Sequence, residues 1–517
     1  MHNKQYKLGA ILSYISILMG NIVGIIYTPI MLRLLGQAEY GLYSLVGSMI
    51  AMLSIVDLGF GNASIRYISK YRILGDKKKE YSVNGMFLII YTVIGCLTLI
   101  IGLISYYYIG GLFDESLTIE EIEKFKIMFM ILVLNLAIGF PFAVFGSIIV
   151  AYEKFIFPKI IGIIRTLINP IALLTVLYMG YDSLAMVITN TIINIVFLWV
   201  NVYYCFKKLK IKIHFKKFDL QLLKEMFIYT FFIFLAIVVD KIYWTTDHFL
   251  LGIYSGTITI SIFAIASQIN MYYMQFSTAI SGMFLPRITG MVIKKSKDKE
   301  LTDLFIKIGR IQLITLGLIL TGFISFGKEF ILLWAGPEYH QAYIMAIILI
   351  TPFTIPLIQN TGITILQAKN LHGFRSIVLL FIAFGNIIIS IPLVKLYGGI
   401  GAALGTAISM IIGNILIMNI YYYKKIKIDI LKFWFEISRM SLPIWLCLLV
   451  GFLMNILIDI NSITSLIIKI LLYSFIYSIL MYAIGMNTFE KNLFSSLIRT
   501  PISKYKQKPP NKKDAGI

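Results

Sequence analysis

Apolar runs of about twenty residues follow one another along most of the chain, separated by short polar segments. A run of that length, wound as a helix, crosses the hydrocarbon core of a bilayer, which is about 30 Å thick. The fourteen runs begin near Leu8, Tyr40, Tyr81, Phe125, Phe155, Leu184, Met226, Thr257, Leu304, Tyr343, Ser376, Gly399, Trp434 and Ser465. The pattern therefore predicts an all-α polytopic membrane protein with about 14 transmembrane helices.

Three prolines fall inside predicted spans, Pro141 in the fourth and Pro352 and Pro356 in the tenth. Proline removes a backbone donor and its ring clashes with the preceding turn, so it bends a helix. Membrane spans tolerate such bends when neighbouring helices satisfy the freed backbone groups. We expect kinks at these positions.

Loops rich in Lys and Arg alternate along the chain with loops that carry few of them. Cytoplasmic loops of membrane proteins are enriched in Lys and Arg. The even-numbered loops and the C-terminal tail carry most of the cations, whereas the third loop, which lies on the other side, is acidic. The cationic clusters include Arg66, Lys70, Arg72, Lys77, Lys78, Lys79, Lys207, Lys208, Lys210, Lys212, Arg287, Lys294, Lys295, Lys424, Lys425, Lys504, Lys506 and Lys508. This alternation predicts that both termini are cytoplasmic.

A weak internal repeat relates the first six predicted spans to the next six. Residues 201–204 close the sixth span and recur as residues 419–422 at the end of the twelfth, and residues 34–36 recur as 250–252. Because six is an even number, both copies enter the membrane from the same side, which predicts two parallel-related lobes. The predicted parts are an N-lobe (1–217), a C-lobe (218–433), two further helices (434–490) and a basic, disordered cytoplasmic tail (491–517).

Composition supports a membrane protein and excludes several other classes. Apolar residues make up 59% of the chain and charged residues 14%, whereas soluble domains carry about 25% charged residues. The net charge of +21 lies between apolar segments, which favours membrane orientation over nucleic-acid binding. The three cysteines, Cys96, Cys205 and Cys447, are too scattered for a disulfide framework or a metal site. Nucleotide-binding and hydrolase motifs are absent, so we expect no enzyme activity and no cofactor.

The seventh span contains the strongest candidate chemistry. Asp240, Trp244 and Asp247 follow helical spacing and form one stripe, and Lys241 and His248 lie on the neighbouring stripe with Thr245. A charge at the centre of a bilayer costs about 2.5–3.5 kcal/mol, so polar stripes face protein or a wet cavity rather than lipid. The stripes predict a cavity wall that binds substrate or an ion. An interhelical ion pair between the lobes, or a span that ends before Asp247 and His248, are the alternatives.

Other polar residues within the spans are weaker candidates. Asn21 lies on a face of small and polar residues of the first span, which favours either cavity lining or close helix packing. Gln268 and Asn270 in the eighth span are possible sugar ligands, or bond to neighbouring helices. Arg66, Arg287 and Arg310 near cytoplasmic helix ends fit either membrane orientation or binding of an anionic headgroup.

Two stretches of the chain resemble a known family. Residues 28–43 contain Leu34-Leu35-Gly36 and Glu39-Tyr40-Gly41, and residues 57–67 begin Asp57-Leu58-Gly59-Phe60-Gly61. Together they are similar to the N-terminal signature of the bacterial polysaccharide biosynthesis proteins, or Wzx-type oligosaccharide flippases. That family belongs to the multidrug/oligosaccharidyl-lipid/polysaccharide exporter superfamily.

The resemblance implies a two-lobed flippase of the bacterial cell membrane with a cavity lined by the first, second, seventh and eighth spans. The implied substrate is undecaprenyl-pyrophosphate-linked oligosaccharide, moved from the inner to the outer leaflet. Membrane lipids, glycosyltransferases and a polysaccharide polymerase are the expected partners. The alternatives are a cation-coupled exporter of drugs or small solutes with the same fold, and a non-transporting scaffold of an envelope assembly complex.

Overall fold

The computed structural model describes residues 2–215, 220–294, 296–369, 371–458 and 462–495. Within these ranges the chain is almost entirely helical and contains no β-strand. The helices are α1 (His2–Leu35), α2 (Gln37–Leu53), α3 (Phe60–Ile73), α4 (Lys77–Phe113), α5 (Ile119–Ala151), α6 (Ile156–Tyr178), α7 (Ser183–Lys207), α8 (Leu220–Tyr254), α9 (Gly256–Ile293), α10 (Asp298–Trp334), α11 (Ala342–Ile358), α12 (Asn360–Ala368), α13 (His372–Met410), α14 (Met418–Tyr421), α15 (Ile430–Ser438), α16 (Ser441–Leu457) and α17 (Ile463–Leu480). The predicted lobe boundary at 217 and residues 496–517 of the predicted tail (491–517) lie outside the described residues, whereas residues 491–495 of that tail are helical.

Polar residues at the loop ends fix where several helices begin. Asp76 ahead of α4 accepts a hydrogen bond from the N–H three residues on (3.0 Å), and Thr118 ahead of α5 forms a capping box with Glu121. Asp182 ahead of α7 accepts from the N–H two residues on (3.0 Å). Each such cap contributes about 1 kcal/mol, because the first N–H groups of a helix have no partner within it.

Eleven helical stretches are long and apolar enough to cross a membrane, and two bent pairs bring the total to thirteen among the described residues. One of the eleven, Gly373–Ile426, is 54 residues long. At 1.5 Å per residue it would extend about 80 Å if straight, far more than the core of a bilayer. Contacts between residues of this stretch therefore show whether it runs straight or folds back on itself.

This long stretch reverses direction at Gly398, where φ is 55° and ψ is −128°. Gly405 packs directly against Ser390, and the Thr406 hydroxyl lies 3.4 Å from Asn386 Oδ1, which is possible only if the two arms run antiparallel. The stretch is thus a helical hairpin, as the predicted eleventh and twelfth spans require. The exact number of fourteen membrane crossings and the cytoplasmic placement of the termini stay predictions.

Two spans are bent. α9 bends by 43° between Phe284 and Pro286, and α11 meets α12 at 42° just beyond Pro356. The break after α11 leaves backbone carbonyl groups without helical partners. The Ser277 hydroxyl donates a hydrogen bond to one of them, the Leu357 carbonyl, at 2.8 Å. The predicted kink of the tenth span is therefore present, whereas α5 continues as one helix through Pro141.

The second predicted span is broken near its middle. A 3-10 turn over Ser54–Asp57 separates α2 from α3. Leu58 (φ 53°) and Gly59 (φ 75°) both have a left-handed backbone conformation. Residues other than glycine rarely adopt this conformation. The Asp57 carboxylate accepts hydrogen bonds from the Gly59 N–H and the Tyr91 hydroxyl, and these bonds hold the broken segment in place.

The helices form two compact units. The first comprises the residues up to Tyr272 together with Trp334–Leu349 and Gly373–Leu416, and the second comprises Tyr273–Leu333, Ile350–His372 and the residues from Ile417 onward. The interior of the first unit is built from α3, α4, α5 and the start of α8, with Phe87 and Met226 fully buried. The two lobes inferred from the sequence repeat stay a prediction.

Candidate functional site

α8 carries the polar residues predicted for the seventh span, and their side chains differ in exposure. The side chain of Asp240 is exposed, those of Lys241, Trp244 and His248 are half-buried, and Asp247 is only 5% exposed. At 1.5 Å per residue, Asp240 lies about 30 Å from the first residue of α8 and about 20 Å from its last. The two predicted stripes are therefore well inside the span, but they are not uniformly accessible.

Asp240 and Lys241 have no ion-pair partner among the described residues. The backbone carbonyl of Lys241 accepts a hydrogen bond from the Thr245 hydroxyl at 2.6 Å, which uses no part of the ammonium group. An interhelical ion pair, one of the alternatives for this segment, is thus not formed by the described residues. The two charges remain available to a ligand.

A buried polar cluster, which we call the Asp247 cluster, consists of Asp247, Asn386, Ser390 and Thr406. The Thr406 hydroxyl donates to Asp247 Oδ2 at 2.6 Å, and the Ser390 hydroxyl donates to Asn386 Oδ1 at 2.9 Å. All four side chains are at most 5% exposed. The cluster joins α8 to both arms of the α13 hairpin.

The chemistry of the Asp247 cluster suits a proton or a small cation. No basic side chain pairs with Asp247 in the part of the chain that the structure describes. A buried carboxylate without a cation loses its hydration, so it takes up a proton or binds a positive ion. Carboxylate, hydroxyl and amide oxygens are the ligands that hard cations prefer.

Polar contacts also join α1 to α9. Gln268 Nε2 donates to the Thr28 hydroxyl at 2.9 Å and to the Tyr272 hydroxyl at 2.8 Å. Asn270 is fully buried and its side-chain oxygen accepts no hydrogen bond from the described residues. Asn21 on α1 is half-buried. The bond from Gln268 to Thr28 is an interhelical bond of the kind that was the alternative to sugar binding, whereas the bond to Tyr272 lies within α9.

The predicted arginines lie in different surroundings. Arg66 on α3 is exposed, and its guanidinium lies over the ring of Tyr229 on α8, 4.3 Å from the ring centroid. Arg287 is exposed beyond the bend of α9. Neither guanidinium donates a hydrogen bond to another of the described residues, so a role in binding an anionic headgroup stays a prediction.

The partners of Asp247 were not found from the sequence. Asn386 and Ser390 are four residues apart and so share one face of an otherwise apolar arm, which is a usable signal. Thr406 carries no such signal, because isolated threonines are common in membrane helices and bond to their own backbone. The hairpin at Gly398 is what brings all three together.

Comparison with known proteins identifies the sequence class. Residues 7–292 match the model of the family described as "Polysaccharide biosynthesis protein". A probable flippase, AglR, from Haloferax volcanii is 28% identical over 184 residues, which cover 33% of this chain and 36% of that relative. A putative O-antigen transporter from Shigella flexneri is 19% identical over 402 residues, which cover 75% of this chain and 91% of that relative.

Solved structures share the fold. The lipid II flippase MurJ in an inward closed conformation superposes with a TM-score of 0.72 at 18% identity, covering 94% of this chain and 99% of that one. An inward-facing multidrug resistance transporter of the MATE family and MOP superfamily gives a TM-score of 0.60 at 15% identity, covering 79% of this chain and 95% of that one. At these identities the likeness describes the fold alone.

Proposed function

Since the chain belongs to the polysaccharide biosynthesis protein family, we propose that it moves undecaprenyl-pyrophosphate-linked oligosaccharide from the inner to the outer leaflet for surface polysaccharide synthesis. At the coarser level the chain is a flippase-like, multi-pass membrane transporter of the MOP superfamily. Relatives named as a probable flippase and a putative O-antigen transporter support the proposed substrate class. Glycosyltransferases would supply the substrate and a polymerase would consume it.

The observation that carries the proposal is Lys241, within the span of α8, which has no ion-pair partner among the described residues. A lipid diphosphate has a strongly anionic headgroup that cannot enter the bilayer core uncompensated. An ammonium group without an internal partner neutralises part of that charge during passage, while the polyprenyl tail stays in the lipid. Alternating exposure of this segment to the two sides would complete the transport cycle.

Replacement of Lys241 tests this proposal directly. The variant Lys241→Ala should abolish flipping of a polyprenyl-diphosphate-linked sugar by purified protein in liposomes, because the diphosphate loses its counter-charge. Flipping is measured as accessibility of the sugar to an impermeant lectin. The matched control is Lys328→Ala, which removes an exposed lysine at the end of α10. Wild-type flipping by Lys241→Ala, or loss in both variants, would contradict the proposal.

A cation-coupled exporter of drugs or small solutes with the same fold is a second candidate. The Asp247 cluster favours it, because a buried carboxylate among oxygen ligands suits the coupling ion of such a carrier. Asp240 would contribute a second carboxylate on the same helix. Drug sensitivity of a strain lacking the protein, with intact surface polysaccharide, would favour this reading over the flippase.

A further inference from the structure

The break between α11 and α12 lies beside a row of polar side chains on α9. Tyr273, Ser277 and Ser281 follow one another at four-residue spacing, which places them on one face of the helix. The hydroxyls of Tyr273 and Thr354 lie 2.7 Å apart ahead of the break, and the Asn360 amide donates to the Ser281 hydroxyl at 3.0 Å beyond it. Both arms of the broken span are therefore bonded to one helix.

Two buried side chains donate to the carbonyls that the break exposes. The Ser277 hydroxyl donates to the Leu357 carbonyl at 2.8 Å. In the amide orientation in which its NH2 group faces acceptors, Gln312 of α10 donates to the carbonyls of Leu357 and Ile358, each at 3.0 Å. Ser277 and Gln312 are both fully buried. Side chains thus replace backbone N–H groups as donors to the last turn of α11.

The first turn of α12 contains the backbone donors that these side chains replace. The Gly362 N–H donates to the Gln359 carbonyl at 2.8 Å, whereas in a continuous α-helix it would donate to Ile358, four residues back. By the same rule Thr361 would donate to Leu357. The two carbonyls that the side chains cap are hence the ones that α12 would use if the span were continuous.

The broken span therefore has two alternative sets of hydrogen bonds. In the bent form, side chains of α9 and α10 cap the carbonyls, and in a straighter form backbone N–H groups of α12 do so, which satisfies the carbonyls in both. Gln312 keeps a partner in the straighter form, since its turned amide donates to the Ser277 carbonyl at 3.3 Å. Pro356 favours the change, because its missing N–H already removes one bond from the end of α11.

We propose that the α11–α12 break is a hinge that switches between the bent form and a straighter one during transport, with Ser277 and Gln312 as the caps that stabilise the bent form. The link to transport rests on the proposed flippase function, whereas the hinge rests on the hydrogen bonds described above. Loss of the 42° bend would move the end of the nine-residue α12 by roughly 9 Å relative to α11.

A reversible cross-link across the break tests the link to transport. In a background without the native cysteines, Ser281→Cys with Asn360→Cys should react with a short bis-thiosulfonate reagent, because the two side chains are hydrogen-bonded. The linked protein should lose flipping in liposomes and recover it after reduction. The matched control is Asp303→Cys with Lys432→Cys, an ion pair of 2.8 Å that joins α10 to α15 without crossing the break. Its linked form should flip at the wild-type rate.

A distance measurement tests the two forms independently of transport. Spin labels at Thr278→Cys in α9 and Gln367→Cys in α12 replace exposed side chains, and the otherwise wild-type protein should give two distances. Gln312→Leu removes a cap and should lower the population ratio of bent to straight form by about tenfold, the effect of losing one or two hydrogen bonds. The control Thr315→Val removes a hydroxyl that bonds within α10 and should leave the ratio unchanged.

The outcomes separate the two proposals. A wild type that does not flip overturns the flippase proposal, and the spin-label distances then decide the hinge alone. A single distance, or a ratio that Gln312→Leu leaves unchanged, overturns the hinge. Failure of the pair at 281 and 360 to cross-link, wild-type flipping by the linked protein, or loss of flipping in both linked proteins overturns its role in transport and leaves the flippase proposal standing.

Discussion

Arg310 was predicted to lie near a cytoplasmic helix end, as an orientation signal or as a ligand for an anionic headgroup. The structure buries it instead, with 3% of the residue exposed. Its guanidinium donates to Glu490 at 2.6 and 3.0 Å, to the Glu436 carbonyl at 2.6 Å and to the Gly485 carbonyl at 2.7 Å. With these donors occupied, Arg310 binds other segments of its own chain and not a headgroup.

Removing the charge of Glu490 should destabilise the protein by about 3–5 kcal/mol, because Arg310 would lose its buried counter-ion and keep only the partly exposed Glu436 carboxylate at 3.6 Å. The variant Glu490→Gln should therefore lower the midpoint of thermal unfolding in detergent by many degrees. The control Glu300→Gln changes an exposed residue of α10 and should leave the midpoint unchanged. Equal midpoints for both variants would show that the buried ion pair adds no stability.

The sequence identified Asp247 as a candidate binding residue, but it did not identify the residues that contact it. Helical periodicity places residues on a face of one helix, and that was enough to select the polar segment from Asp240 to His248. It does not report which other helix packs there, so Asn386 and Thr406 could not be assigned. Periodicity also grouped Asp240 with Asp247, although only the second is buried.

Among the elements, α2 packs unusually closely against the start of α9. Gly41 lies against the backbone carbonyl of Thr257, in a space that no side chain could share. Gly47, two turns further along α2, is exposed and has no neighbour near the position of an added methyl group. A side chain would therefore clash at position 41 but has space at position 47 of the same helix.

The substitution Gly41→Ala should destabilise the protein by about 1–3 kcal/mol, since the added methyl group forces α2 and α9 apart. Gly47→Ala should be neutral or stabilising by up to about 1 kcal/mol, because alanine favours the helix. Thermal unfolding of the purified variants measures both. A Gly41→Ala protein as stable as Gly47→Ala would mean that the helices are not in close contact at that point.

Long apolar runs predicted the elements well, because the bilayer imposes a minimum length that the sequence must display. The break between α2 and α3 was missed. Leu58 has no intrinsic preference for a left-handed conformation, so its positive φ arises from tertiary contacts such as those of Asp57 with Tyr91. The bend of α9 at Pro286 was also not predicted, although proline gave a signal there.

For the whole molecule, the family was predicted from sequence motifs and the fold from the number of apolar spans. The two lobes were predicted from the internal repeat, and the orientation from the charge of the loops. The two compact units are defined by contacts between helices distant in sequence, and loop charge carries no information about such contacts. Orientation is the property of the whole chain that loop charge does predict.

That orientation can be measured with single cysteines in a background lacking Cys96, Cys205 and Cys447. Lys78→Cys places an exposed thiol in the first turn of α4, and Glu115→Cys places one in the loop after α4; the positive-inside rule assigns them to opposite sides. An impermeant maleimide should label Glu115→Cys in intact cells and Lys78→Cys only after permeabilisation. The reverse pattern, or labelling of both in intact cells, would refute the predicted orientation.

The broken second span has an electrostatic consequence. Aligned peptide dipoles give the start of a helix about half a positive elementary charge, and the break puts the start of α3 within the second span, where ordinary spans present no such end. The Asp57 carboxylate, bonded to the Gly59 N–H, offsets that field from within the chain. An uncharged residue at position 57 would thus leave the hydrocarbon region with an uncompensated positive potential, attractive to any passing anion.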